Sequence, residues 1–225
     1  MSSKLILMRH GRSAWNGQNL FTGWVDIPLD AEGIEEALRA GEKIRTLPID
    51  VVFTSTLIRA QMTVVLSLLH HASQKVPVFL HEGEGKRAAW GQIHSEETKC
   101  KTLPVHSAWE LNERMYGTLQ GLNKTQMAEQ FGAEQITIWR RSYEGTPPGG
   151  ESLAMTAART IPYFQQRIVP HLEKGESALI AAHGNSLRSI VMQLDGLSPD
   201  EVVHLEIPTG DIIIYEYEKG QWTKK

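Results

Sequence analysis

Residues 5–16, LILMRHGRSAWN, join an apolar run to an Arg-His-Gly triplet and then to small polar residues. Leu5-Ile6-Leu7-Met8 reads as part of a buried strand over 4–8, which ends abruptly in Arg9-His10-Gly11. Ser13 and Asn16 suit a turn or a helix start. A buried strand that delivers Arg and His to its carboxyl end, followed by a glycine that lets backbones approach, is suited to hold an anion. His10 is the candidate nucleophile for a phosphoryl group. Its chemistry requires one neutral ring nitrogen facing phosphorus while the other donates, often to a backbone carbonyl.

The same ending recurs. Ala178-Leu179-Ile180-Ala181-Ala182 reads as a second buried strand and runs into His183-Gly184-Asn185-Ser186. Between them, Asp50-Val51-Val52-Phe53 reads as a strand followed by a helix whose first turn carries Arg59. If these strands are neighbours in an open sheet, two imidazoles and two guanidinium groups meet at the strand ends. Such a cluster is repulsive unless an anion sits in it, and a phosphoryl group, gripped bidentately by arginine, fits. A proton carrier is then needed for the hydroxyl that leaves or attacks. Glu113, in a loop beside Arg114 and Tyr116, is the best placed carboxylate. A second cationic group, Lys124 with Arg140-Arg141, gives a means of holding a ligand that is anionic at both ends.

Outward from these strands, apolar spacing predicts helices from Asp30 to about Leu47, after Thr54-Ser55-Thr56 to about His70, and from Asn123 to Phe131. A further helix carries Trp139-Arg140-Arg141, and a long one starts at Ser152, interrupted by Pro162 and Pro170. A strand is expected over 76–80 and a last one over 211–217. Residues 81–101 are polar and aperiodic and read as a surface insertion, drawn at about 73–104. The expected fold class is α/β: a three-layer αβα sandwich with a mostly parallel sheet, in one domain over 1–225.

The 225 residues carry a formal net charge of −3, with 41% hydrophobic residues, so neither nucleic acid nor a membrane is expected as a partner. One cysteine, Cys100, excludes an internal disulfide, and with no apolar run long enough for a signal peptide or span the expected location is the cytoplasm. His70-His71, His81, His94 and His106 fit no zinc spacing, and no metal is expected.

Leu7-Met8-Arg9-His10-Gly11, residues 111–117 (LNERMYG), Leu119-Gln120-Gly121-Leu122-Asn123-Lys124, Trp139-Arg140-Arg141 and residues 181–186 (AAHGNS) together resemble the histidine phosphatase superfamily, and within it the cofactor-dependent phosphoglycerate mutases. The resemblance spans roughly 1–72 and 105–217. It implies a phosphoglycerate mutase-like fold and interconversion of 3-phosphoglycerate and 2-phosphoglycerate, primed by 2,3-bisphosphoglycerate. It implies His10 as phosphohistidine nucleophile, Glu113 as proton donor and acceptor, and His183 as stabiliser of the transferring group. Arg9, Arg59 and Asn16 would hold that group. Thr22, Gly23, Tyr116, Lys124, Arg140 and Arg141 would hold the rest of the substrate, with Ser13, Arg114, Gly184 and Asn185 completing the pocket. A homodimer is the family's expectation. Arg12 and Met115 depart from the family's usual residues. The alternative within the superfamily is a phosphomonoesterase, in which water takes the phosphoryl group from His10.

Overall fold

The computed structural model describes residues 2–225 apart from Glu82 and Glu84. Seven strands form one sheet in the order β3-β4-β2-β5-β1-β6-β7: β1 Ser3–Arg9, β2 Val51–Thr54, β3 Val76–Phe79, β4 Thr102–Ser107, β5 Ala178–Ala182, β6 Ile212–Glu218 and β7 Gln221–Lys224. β1 to β5 pair in parallel, and β6 and β7 close one edge antiparallel.

Alternation along the strands sends side chains to two helical layers. Leu5, Leu7, Phe53, Ala178 and Ile180 pack with Leu187, Ile190 and Val191 of α10 (Gly184–Asp195) and with Phe164, Ile168 and Leu172. On the other face, Ile6, Met8, Val52, Leu179 and Ala181 pack with Ala40 and Ile44 of α2 (Ala31–Ile44) and with Val64 of α3 (Ile58–Ser67). Each fully buried Leu, Ile or Phe contributes about 1.5–3 kcal/mol relative to exposure. These two faces are therefore what makes the central strands continuous apolar runs. A third, smaller core of Phe21, Leu119, Met127 and Ile136 lies under the loops beyond the strand ends.

Pro162 and Pro170 act as expected. α8 (Leu153–Tyr163) gives way to a π turn over Phe164–Ile168 before α9 (Val169–Glu173), because proline supplies no N–H to the helical ladder. Two regions differ from the sequence reading. The region read as an aperiodic insertion contains two short helices, α4 (Lys86–Trp90) and α5 (Glu96–Cys100), the latter capped by Ser95. It also runs into β4, an interior strand that the boundary at 104 cuts through. Pro104 and His106 hide its pattern, while Leu103 and Val105 alternate into the core. β7 is likewise additional, a short edge strand with only Trp222 packed on the core.

Gly11 is used as the sequence suggests, but the backbone it admits is that of α2. A Cβ on Gly11 would strike the carbonyl of Gly33, and one on Gly33 would strike the backbone of Arg12. This contact seats the turn that carries His10. Arg12 itself is tied to Asp30 and Glu32 at 2.8 and 2.5 Å.

Candidate active site

β1 and β5 lie side by side with Arg9 opposite Ala182, and the His10 N–H donates to the Ala182 carbonyl at 2.9 Å. The register therefore brings His10 and His183 together, with ring centroids 4.9 Å apart. His10 Nδ1 lies 2.6 Å from the Gly11 carbonyl, which can only accept, so Nδ1 carries the proton and Nε2 keeps its lone pair. Burial, then the charges of Arg59 and Arg9, hold the His10 pKa well below its ordinary 6.5 despite the Gly11 hydrogen bond. His10 is therefore neutral at pH 7. His183 is fully buried, with Nε2 2.7 Å from Ser55 Oγ, and its pKa is also lowered by burial, Arg59 and His10.

Both folded-state histidines refuse protons that the unfolded chain accepts. Below about pH 6.5 the unfolded state binds more protons, so stability falls as pH drops through that range. Urea unfolding of the ligand-free protein is expected to show a lower midpoint at pH 5.5 than at pH 7.5, with a smaller loss in His10→Asn. A midpoint that does not change with pH contradicts neutral buried imidazoles.

The arginines are fixed through backbone carbonyls. Arg59, in the first turn of α3, donates to Gly23 O at 2.7 Å and Val25 O at 3.1 Å, drawing the long loop over 17–29 against the strand ends. Burial lowers its pKa to about 10, against the opposing pull of Glu113 and Asp26, and it stays cationic at pH 7. Arg9 donates to Ile207 O at 2.6 Å and keeps a buried Nε without a partner. Ser13 and Asn16 form a reciprocal cap on α1 (Ala14–Gly17). Asn16 Oδ1 accepts from the Ser13 N–H, which leaves the Asn16 NH₂ group to donate into the cavity it lines.

Glu113 is buried in the loop after β4. Its Oε1 accepts from the Arg114 N–H at 2.8 Å, the Asn185 N–H at 3.1 Å and Asn185 Nδ2 at 2.8 Å, leaving Oε2 for a proton. Burial pushes its pKa up, but Arg9, the Arg114 and Asn185 hydrogen bonds and Arg59 together hold it below the ordinary 4.5. The loop is clamped from behind by Arg159 on α8. Arg159 pairs with both oxygens of Glu151 at 2.9 Å and donates to Glu113 O at 3.0 Å and Glu110 O at 2.7 Å. Trp24 Nε1 donates to the same Glu113 carbonyl at 2.5 Å. Arg159→Lys keeps the charge but loses the planar fork. It is expected to lower kcat for phosphoryl transfer by about 10–100-fold through a displaced Glu113, with the fold retained in thermal melts. Unchanged steady-state kinetics would remove Arg159 from the positioning of that loop.

A further set of cations completes the wall. Lys124 opens α6 (Lys124–Phe131), and Arg140 and Arg141 end α7 (Ala133–Arg141), where cations suit the helix dipole. Lys124 has its pKa lowered to about 8 by burial, then by Arg140 and Arg9. The charges acting on His10 are Arg59 and Arg9, those acting on Lys124 are Arg140 and Arg9, and Arg141 acts on Arg188. Arg9 and Arg59 flank His10, and Lys124, Arg140, Arg141 and Arg188 complete the cationic lining of one cavity of about 120 Å³. That is below the roughly 300–1,000 Å³ of drug-sized sites and suits a ligand of a few carbons. Among the described residues, six cationic side chains and two carboxylates line it.

Three expected residues do not reach this wall. Ser13 is fully buried and serves as a cap. Arg114 is fully buried and donates to Arg140 O at 2.7 Å and Tyr116 Oη at 3.2 Å, so it positions two wall residues. His183 stands beside His10 instead of lining the cavity. All other expected residues line it. Arg188 and Glu206 were missed. An arginine set among the small and apolar residues that follow His183 was the available signal for the first, and no local pattern marks the second.

The sequence profile of the histidine phosphatase superfamily (branch 1) matches residues 5–83 and 91–225. This chain belongs to that superfamily. The 2,3-bisphosphoglycerate-dependent phosphoglycerate mutase of Protochlamydia amoebophila (strain UWE25) is 61% identical over 222 residues, covering 99% of this chain and 98% of its own length. The enzyme of the same name from Chlamydia muridarum (strain MoPn / Nigg) is 54% identical over 220 residues, covering 98% of this chain and 96% of its own. Within the superfamily the chain groups with these cofactor-dependent phosphoglycerate mutases. Among solved structures, Bacillus stearothermophilus YhfR aligns at a TM-score of 0.77 and 20% identity, over 99% of this chain and 95% of its own. The phosphoglycerate mutase of Bacillus anthracis str. Sterne aligns at 0.72 and 17% identity, over 100% and 92%. These two show the shared fold. The histidine phosphatase profile leaves out residues 84–90, which include all of α4, while β3 and β4 belong to the sheet.

Proposed function

We propose that this histidine phosphatase-superfamily chain acts as one phosphoglycerate mutase-like domain over 1–225, with its insertion within about 73–104. The enzyme interconverts 3-phosphoglycerate and 2-phosphoglycerate through a phosphohistidine on His10, in glycolysis and gluconeogenesis. The observation that carries this reading is the set of six cationic side chains sharing one small cavity with a neutral, buried histidine. A hydrolase needs to hold one phosphate. An isomerase that hands the phosphoryl group out and back must grip an intermediate anionic at both ends.

2,3-Bisphosphoglycerate, on which the relatives named above depend, supplies the phosphoryl group that primes the site, and six cations suit its charge. His10 Nε2 forms the bond to phosphorus while Nδ1 stays hydrogen-bonded to Gly11. Arg9, Arg59 and Asn16 hold the phosphoryl oxygens, and His183 stabilises the group as it moves. In return transfer the substrate oxygen bonds to phosphorus, the P–N bond breaks, and the hydroxyl proton passes to Glu113. Lys124, Arg140, Arg141 and Tyr116 grip the far end. Binding an anion offsets the Arg9 and Arg59 charges that keep Glu113 ionised, which raises its proton affinity and lets it act as acid as well as base.

Among the described residues no group of three or more His, Cys, Asp or Glu is placed to hold a metal ion. No helix among them is long and apolar enough to cross a membrane. We place the enzyme in the cytoplasm, as a homodimer, and read the transfer as metal-independent. The test is incubation with 3-phosphoglycerate, with and without catalytic 2,3-bisphosphoglycerate, following 2-phosphoglycerate and free phosphate. Primed isomer formation that greatly exceeds phosphate release is expected, unchanged by EDTA. Fast phosphate release with little isomer would favour the phosphomonoesterase, and loss on chelation that a divalent ion restores would overturn the metal-free reading.

A further inference from the structure

Glu206 lies in the loop between α11 (Pro199–Val202) and β6, on the wall of the cationic cavity. It is a carboxylate where the ligand must place its own anion. Its Oε1 takes Arg141 Nη1 at 2.6 Å and its Oε2 takes Arg188 Nη2 at 3.4 Å. Arg188 is held by Leu205 O at 2.6 Å and Asn185 Oδ1 at 3.3 Å, and Asn185 Nδ2 donates to Glu113. Glu206 is 62% exposed at its side chain, so it is free to swing away, whereas Arg188 is 9% exposed and fixed.

We propose that Glu206 is a resident counter-anion of the Arg141–Arg188 group that weakens the site's hold on its most highly charged ligand. Arg141 cannot give both N–H faces to an incoming phosphate while paired at 2.6 Å with Glu206. The ligand therefore displaces Glu206 or shares the guanidinium and meets its negative charge. That repulsion scales with ligand charge, so a bisphosphorylated ligand is penalised more than a monophosphorylated one. The consequence is exchange: the bisphosphorylated species leaves the site more readily than six cations alone would allow. The functional part of this inference rests on the mutase reading; the binding part rests on the cavity alone.

Glu206→Gln keeps the shape and removes the charge, and Glu206→Asp keeps the charge. Calorimetric titration with pyrophosphate and with inorganic phosphate is expected to show Kd lowered by about tenfold and about threefold in Glu206→Gln, with Glu206→Asp close to the parent. In the isomerase assay, KM for 2,3-bisphosphoglycerate and kcat are expected to fall together, the sign of a ligand held too tightly. Weaker or unchanged pyrophosphate binding in Glu206→Gln overturns the proposal and makes Glu206 a support for Arg141. A parent protein that binds pyrophosphate without isomerising phosphoglycerate sinks the mutase reading, while the pyrophosphate comparison still decides the role of Glu206. A parent that binds no pyrophosphate overturns the role given to Glu206, while the isomerase assay still decides the mutase reading.

Discussion

His10→Ala is expected to lower mutase turnover by about 10⁵-fold, the scale seen when a covalent nucleophile is removed. The size follows from how fully the surroundings commit this one ring. Its Nδ1 is spent on Gly11, its charge state is held neutral by burial and by Arg59 and Arg9, and the cavity opens onto it. No neighbour can replace it: His183 is fully buried and its Nε2 is engaged with Ser55. The variant should fold, because the cavity tolerates a smaller side chain and a neutral buried imidazole is lost. Binding of 3-phosphoglycerate should persist, since the cations remain. Turnover within tenfold of the parent would remove His10 from the covalent step.

Glu113→Gln is expected to lower kcat by about 10²–10⁴-fold. The substitution is nearly isosteric, and the amide oxygen still accepts from the Arg114 and Asn185 N–H groups. The capacity to carry a proton is lost, together with the negative charge that faces Arg9 and Arg59. Priming should suffer less with a donor whose leaving group is a weak base, since that departure needs no proton, and this separates a proton carrier from a merely structural carboxylate. The pH profile gives a second readout. His10 must be neutral in the unphosphorylated enzyme that is primed, Glu113 must be unprotonated in the primed enzyme that meets phosphoglycerate, and both pKa values are lowered. The acid limb of kcat/KM therefore lies below pH 6.5, the value an ordinary histidine would give. A limb at 6.5 or above contradicts the assignment of a depressed His10.

Much of this arrangement was legible in the sequence because the central strands are buried on both faces. An apolar run that stops at Arg9-His10, and another that stops at His183, leave few places for their polar ends except the carboxyl edge of a parallel sheet. β4 was not legible, because Pro104 and His106 sit at its half-exposed positions. β7 carries one apolar residue, yet the turn before it left a signal. Lys219 and Gly220 at φ 50 and 82 form the left-handed pair that hairpins favour. Ser13 and Arg114 were placed in the pocket by the family resemblance, in the motifs that also carry Asn16 and Tyr116. Neighbouring residues in tight turns point in different directions, and those two point into the fold. Arg188 and Glu206 come together only through tertiary packing of α10 against the loop before β6.

The central claim is that His10 carries the phosphoryl group and returns it to a phosphoglycerate. Rapid-quench labelling with 2,3-bisphosphoglycerate bearing a radioactive phosphoryl group tests it in one experiment. The expected result is an acid-labile, base-stable label on His10, absent in His10→Ala, that passes to added phosphoglycerate much faster than to water. Label found only as free phosphate, or on the protein at another residue, would contradict it.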